Sequence, residues 1–237
     1  DEVWKLKKNK IIIATIKSWN IENVKKINLE NTEIKLIENK NNLDEEVIRS
    51  FNPDLIFFIH WSWYIPETIY NSYECIVFHP TELPYGRGGS PIQNLIVRGH
   101  DKTFISAVRV GKDLDAGALY PIKKELSLLG TAEEILIRMS DIVCFQMIPW
   151  IIRNRPVPCE QQGEAVVFER RKPKESKLDM NLEINDIYNI IRMLDGEGYP
   201  KAFLDMGNYR LEFSRASLKT NEIKADVVIK RMEKDNE

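Results

Sequence analysis

Two of the three histidines close apolar runs, where a polar side chain in a folded α/β protein reaches a ligand crevice. His79 follows Cys75-Ile76-Val77-Phe78 and precedes Pro80-Thr81-Glu82, while His60 follows 54–59 and precedes Trp61-Ser62-Trp63. Imidazole titrates near neutral pH, so a histidine so placed can move a proton or stabilise a developing negative charge. Asp115, in Asp113-Leu114-Asp115-Ala116-Gly117, could orient that imidazole, hold its charged form or position a water. Aspartate is also a common turn former, the plainer reading for Asp113. Lys17, Trp19 and Asn20 follow the first apolar run and could hold a polar or nucleotide portion of a substrate. His100, behind Gly99, reads as a surface residue at a helix end. Cys75, Cys144 and Cys159 have neither metal-ligand nor disulfide-framework spacing, so no metal is expected and a reducing cytoplasm is the simplest setting.

The patterning places these groups at strand ends. Apolar runs at 11–15, 54–59 and 75–78 and an alternating stretch at 33–37 predict strands, with helices over 21–27 and 43–51 between them. Continuous apolar runs alternating with helices indicate a mostly parallel sheet covered on both faces, with ligands gathered beyond the carboxyl ends of its strands. A Gly- and Pro-rich loop over 84–91 leads to a helix over 92–98, strands at 103–110 and 119–123, and a long helix over 131–152 that Thr131 could cap. Prolines and the charges Glu169-Arg170-Arg171-Lys172 mark 153–177 as an exposed connection. A small α+β unit follows, with a helix over 184–194 and strands near Ala202, 210–213 and 225–229. The expected organisation is a domain over 1–152, a connection over 153–177 and an appendage over 178–237. Its last strands could complete a homodimer.

The stretch Phe78-His79-Pro80-Thr81-Glu82-Leu83-Pro84-Tyr85-Gly86-Arg87-Gly88-Gly89-Ser90-Pro91-Ile92-Gln93 resembles the signature of 10-formyltetrahydrofolate-dependent formyltransferases. Pro53-Asp54-Leu55-Ile56 with Trp61-Ser62 and Ile65-Pro66, and Asp113-Leu114-Asp115-Ala116-Gly117, resemble two further elements of that family in the same order. The resemblance spans roughly 11–213. It implies a Rossmann-like α/β catalytic domain in which His79 and Asp115 carry the chemistry, and a donor, 10-formyltetrahydrofolate, that leaves as tetrahydrofolate. It further implies folate contacts from Trp61, Ser62, Trp63, Ile65, Leu83, Pro84, Arg87, Gly88, Gly111 and Asp113, and substrate contacts from Lys17, Trp19, Asn20, Thr81, Tyr85 and Gln93. An amine attacks the formyl carbon, so donors aimed at the oxygen would supply much of the rate. The family's Asn donor, two residues before the catalytic histidine, is Val77 here, so His60, Gln93 or a backbone amide must replace it or catalysis is weakened.

The formal net charge is -2 and the pI about 6.1, which offers no basic excess for gripping a nucleic-acid backbone. The 43% hydrophobic content allows a packed core, and no apolar run approaches the roughly 20 residues of a membrane span. The short segment after the first domain argues against tRNA as acceptor, and the loop at 85–91 and Gly196-Glu197-Gly198-Tyr199-Pro200 resemble those of sugar-nucleotide N-formyltransferases. The acceptor expected on that ground is the amine of a nucleotide-linked amino-dideoxy sugar of surface-polysaccharide (lipopolysaccharide) assembly, with no nucleic acid or membrane partner. Methionyl-tRNA as acceptor and a non-catalytic folate-binding relative are the alternatives.

Overall fold

The computed structural model describes residues 8–232. A six-stranded sheet has the order β2-β1-β3-β4-β6-β7, built from β1 (Asn9–Ala14), β2 (Thr32–Ile37), β3 (Leu55–Phe58), β4 (Cys75–His79), β6 (Lys102–Arg109) and β7 (Leu119–Ser127). The first four strands run parallel and β6 runs antiparallel to β4. Helices α1 (Ser18–Lys26), α2 (Glu45–Phe51) and α3 (Glu67–Tyr70) fall between the parallel strands. Ile12, Ala14, Ile56, Phe58 and Cys75 pack with Ile37, Ile48 and Ile69. Their alternate neighbours Ile11, Ile13, Phe57 and Ile76 are fully buried as well. Burial of successive strand residues needs both sheet faces covered, as the unbroken apolar runs require. The mixed α/β fold with a mostly parallel sheet is thus as expected.

Two compact units are present, one from residues 8–88, 103–126 and 137–167, the other from 89–102, 127–136 and 168–232. The second contains α4 (Pro91–Val97), α7 (Ile184–Met193) and an antiparallel sheet of β9 (Ala202–Met206), β10 (Tyr209–Leu218) and β11 (Ile223–Arg231). Gly99 ends α4 with φ +81°, its N–H on the Ile96 carbonyl and that of His100 on Leu95, the expected helix terminator.

The long helix is α5 (Ala132–Ile142), a π-helical turn (Val143–Met147) and α6 (Ile148–Asn154). Thr131 accepts from the Glu134 N–H at 3.3 Å and donates its own N–H to the Glu134 carboxylate at 2.7 Å, a reciprocal cap. Pro149 removes an N–H that a regular helix would use, and the turn before it is widened. By length and composition alone this helix could cross a membrane, contrary to the expectation that no apolar stretch is long enough. Its apolar positions nevertheless recur every three to four residues, and 61% of the apolar window is buried in the protein, the pattern of a core helix.

Two stretches differ from expectation. The glycine-rich loop contains a strand, β5 (Tyr85–Gly88), paired with β8 (Val166–Phe168), and Gly86 and Gly88 take φ of +80° and +100° within it. A three-residue strand in a charged segment has too short a period to stand out. The exposed connection is also pinned: Phe168 and Ser176 are buried, and the Arg171 N–H donates to Ser90 Oγ. A Cβ on Gly89 would lie 2.6 Å from the Arg170 Cα, so that glycine serves close backbone approach.

Candidate active site

β4 delivers His79 to the carboxyl end of the sheet, buried, with its register partner Ser106 on β6. The His79 Nε2 lies 2.7 Å from the Gly86 carbonyl oxygen. A carbonyl only accepts, so Nε2 carries the hydrogen and Nδ1 is the position where a proton comes and goes. Nδ1 faces Asp115 Oδ2 at 3.5 Å, beyond normal hydrogen-bond length. The Gly86 carbonyl therefore orients the ring, with the Asp115 carboxylate beside Nδ1.

Asp115 sits at φ +54°, a sparsely populated region for this residue that the surroundings must enforce. The Gly88 N–H donates to Asp115 Oδ2 at 3.0 Å. Gln161, which the sequence reading did not single out, donates from Nε2 to the Asp115 and Gly117 carbonyls, both at 2.8 Å. Its Oε1 accepts from Arg87 Nε and Nη2 at 3.1 and 2.7 Å. Arg87 thus spends two donors on the amide that holds the aspartate loop. Gln161 lies 46 residues from Asp115 in an irregular stretch, and no local pattern announces it. Ser106 was missed too: its Oγ donates to the Thr81 carbonyl at 2.6 Å and accepts from the Leu83 N–H at 3.3 Å, which fixes the turn after His79.

The other expected residues fall into separate groups. Thr81 and Leu83 are buried beneath the turn, and Pro84 follows a cis bond. Tyr85 is half-buried on β5, whereas Ser62, Gly111 and Asp113 are exposed. The Asp113 carbonyl accepts from the Ala116 N–H, as a turn residue does. Gln93 is buried in the second unit, where its Nε2 donates to the Met193 carbonyl at 3.2 Å.

The ends of β1 and β3 hold Lys17, Trp19, Asn20 and His60, at the point where the strand order reverses. Asn20 is fully buried, and its Nδ2 donates to Thr15 Oγ1 and to His60 Nδ1, each at 2.9 Å. Burial, with the Lys17 ammonium as a smaller influence, lowers the His60 pKa to about 4. An unfolded chain would take up a proton here below pH 6.5 that the folded one refuses. Stability carried by neutral His60 is therefore complete above pH 6.5 and is lost as pH falls toward 4. Between pH 7 and pH 5 the wild type should lose about 2 kcal/mol more unfolding free energy than His60→Gln. Parallel denaturant curves for the two proteins would refute this.

After β3, half-buried Trp61, Trp63 and Ile65 form an apolar wall, with Trp61 edge-on to Phe58 at 5.8 Å and to Trp63 at 5.1 Å. The Trp61 Nε1 is buried without a hydrogen-bond partner. An apolar wall with one unspent donor fits a flat, acceptor-bearing heterocycle such as the folate ring system. Among the described residues no group of three or more His, Cys, Asp or Glu could hold a metal ion.

Comparison with known proteins corrects the acceptor. Residues 7–138 match a family model described as formyl transferase, and 173–230 one described as the C-terminal domain of methionyl-tRNA formyltransferase. The structure superposes with TM-score 0.92 on a methionyl-tRNA formyltransferase from Clostridium thermocellum, 51% identical, covering 94% of this chain and 99% of that one. A methionyl-tRNA formyltransferase of Ehrlichia canis is 26% identical over 75% of this chain and 58% of its own length; the chain spans about half the length of the curated relatives it matches. A 4-N formyltransferase from Francisella tularensis (15% identity, TM-score 0.63, 96% of this chain and 99% of that one) shares the fold alone. So does HypX from Aquifex aeolicus solved with tetrahydrofolic acid (13%, TM-score 0.68, 91% and 40%). The sugar-nucleotide expectation is therefore overturned. Its sequence grounds also have plainer structural uses: 85–88 is a paired strand, and a Cβ on Gly196 would meet the Tyr199 ring at 3.0 Å. The expected donor, 10-formyltetrahydrofolate, is the one this family uses. From the buried histidine–aspartate pair to the matched 7–138 stretch, sequence and structure agree that this chain belongs to the formyl transferase family.

Proposed function

We propose that this chain transfers a formyl group from 10-formyltetrahydrofolate to the amine of methionyl-tRNA. The observation that carries the acceptor is the 51% identity to the Clostridium methionyl-tRNA formyltransferase, extending over nearly the whole of both chains. The donor supplies an activated formyl carbon. The amine nitrogen bonds to that carbon, the bond from carbon to the folate nitrogen breaks, and the proton shed by the amine ends on that nitrogen. His79 receives the proton at Nδ1 and returns it, while the adjacent Asp115 carboxylate stabilises the imidazolium in between. Trp61, Ser62, Trp63 and Ile65 take the pterin side of the donor, with Leu83, Pro84 and Gly88 flanking the histidine turn. Lys17, Trp19 and Asn20 face the acceptor. Arg87 works indirectly, by fixing Gln161 and through it the aspartate loop.

The described second unit mixes charges of both signs along β10 and β11, as in the pairs Arg210–Asp205 and Lys230–Glu212. Binding to tRNA through this unit would then rest on few phosphate contacts and carry a shallow salt dependence. The test incubates the chain with 10-formyltetrahydrofolate and methionyl-tRNA and follows the formyl mass gain on methionine after release from the tRNA. Product with wild type but not with Asp115→Asn is expected. Folate turnover on an amino-sugar nucleotide with none on methionyl-tRNA would overturn the acceptor.

A further inference from the structure

We propose that His60, through its Nε2–H, gives the formyl oxygen the hydrogen bond that Val77 cannot. The inference rests on the formyl-transfer reading and goes on to name the group that holds the reacting carbonyl. Val77 and Phe58 are register partners on β4 and β3. Two residues beyond each lie His79, the last residue of β4, and His60, just past the end of β3. Neighbouring strands are about 4.8 Å apart, so a donor on the end of β3 can reach the position that a side chain at 77 would otherwise serve.

Several features of His60 are otherwise without a purpose. Its backbone takes φ +49°, a left-handed conformation that costs about 1–3 kcal/mol in a residue with a side chain and clusters at functional sites. The chain turns here immediately after the β3 strand instead of continuing past it. Asn20 donates to Nδ1 at 2.9 Å, so Nδ1 is the acceptor and the ring hydrogen sits on Nε2. That Nε2 is buried and has no partner, a state that folded proteins rarely leave unexplained. The ring stays uncharged near neutral pH, because burial holds its pKa at about 4. A neutral imidazole donates to a carbonyl without itself giving up a proton to the reaction, which suits an electrophilic role.

The rival donor is already committed. Gln93 spends its amide on the Met193 carbonyl. The Gly88 N–H is spent on Asp115. Trp19 packs edge-on to the His60 ring, centroids 6.5 Å apart. The Trp19 Nε1 is likewise buried without a partner.

The test uses the full chain and a formyl-bearing folate analogue, 10-formyl-5,8-dideazafolate, labelled with ¹³C at the formyl carbon. Difference infrared spectra read its carbonyl stretch when bound, with no acceptor present. The band should shift to lower frequency on wild type, return toward its free position on His60→Ala, and shift down again on His60→Ala/Val77→Asn. With methionyl-tRNA, His60→Ala should lower kcat by about 10²- to 10³-fold with little change in the KM for folate, and Val77→Asn should recover at least tenfold of that loss. A general loss of structure in His60→Ala would not be repaired by an asparagine on the neighbouring strand, so the rescue separates the two. An unmoved carbonyl band in His60→Ala, or a kcat within threefold of wild type, overturns the proposal alone. Failure of the wild type to bind the analogue overturns the folate reading, and this proposal with it.

Discussion

Asp115→Asn and His79→Ala should each lower formyl transfer by about 10²- to 10⁴-fold, the range for removing a positioned acid–base group. His79 donates Nε2–H to the Gly86 carbonyl and presents Nδ1 to Asp115 Oδ2 at 3.5 Å. Asparagine can keep the bond from the Gly88 N–H but has no charge, so an imidazolium at 79 loses its counter-ion. Neither residue forms the apolar wall around Trp61. Binding of the folate analogue, followed by Trp fluorescence, should therefore be little changed in both variants. The two losses should also be far from additive, because the residues act as one unit. A double variant much slower than either single one, or Asp115→Asn within fivefold of wild type in single-turnover transfer, would refute the pairing.

Gly117→Ala should cost about 10²-fold in kcat although residue 117 carries no reacting group. Its Cβ would lie 1.9 Å from the Arg109 carbonyl oxygen, backbone of an interior strand that cannot give way. The loop must move instead, and it is the loop that holds Asp115 at φ +54°. A misplacement of about 1 Å in a catalytic group is enough for a loss of that size. Gln161→Leu should act in the same direction. It removes two bonds to the Asp115 and Gly117 carbonyls and leaves the Arg87 guanidinium without its acceptor. Leu114→Ala, in the same loop but with its side chain exposed, is the control and should retain wild-type kcat. Equal rates for Gly117→Ala and Leu114→Ala in the transfer assay would show that the loop tolerates displacement.

Much of this site was legible before the structure because its parts follow local rules. The runs at 11–15, 54–59 and 75–78 read as strands buried on both faces, which put His60 and His79 at strand ends. Thr131 and Glu134 form the helix cap that their spacing allows. Gly99 ends its helix with positive φ. The acceptor was misjudged because it was argued from loop length and charge. Those features describe the exterior and say little about which amine approaches the histidine. The strand at 85–88, taken for an open loop, is held by a partner some 80 residues away, and pairing of that kind leaves no periodic trace.

The amino-acid sequence by itself determined the sheet, the strand-end histidines and the Asp115 turn, because burial of apolar runs and backbone preferences act over a few neighbouring residues. Only the tertiary structure decided how those groups are wired. Gln161 clamps the aspartate loop across 46 positions, and Asn20 sets the His60 tautomer across 40. The Gly86 carbonyl, not Asp115, orients His79. A hydrogen bond depends on tenths of an ångström and on direction, and for residues so far apart those quantities exist only once the chain has folded.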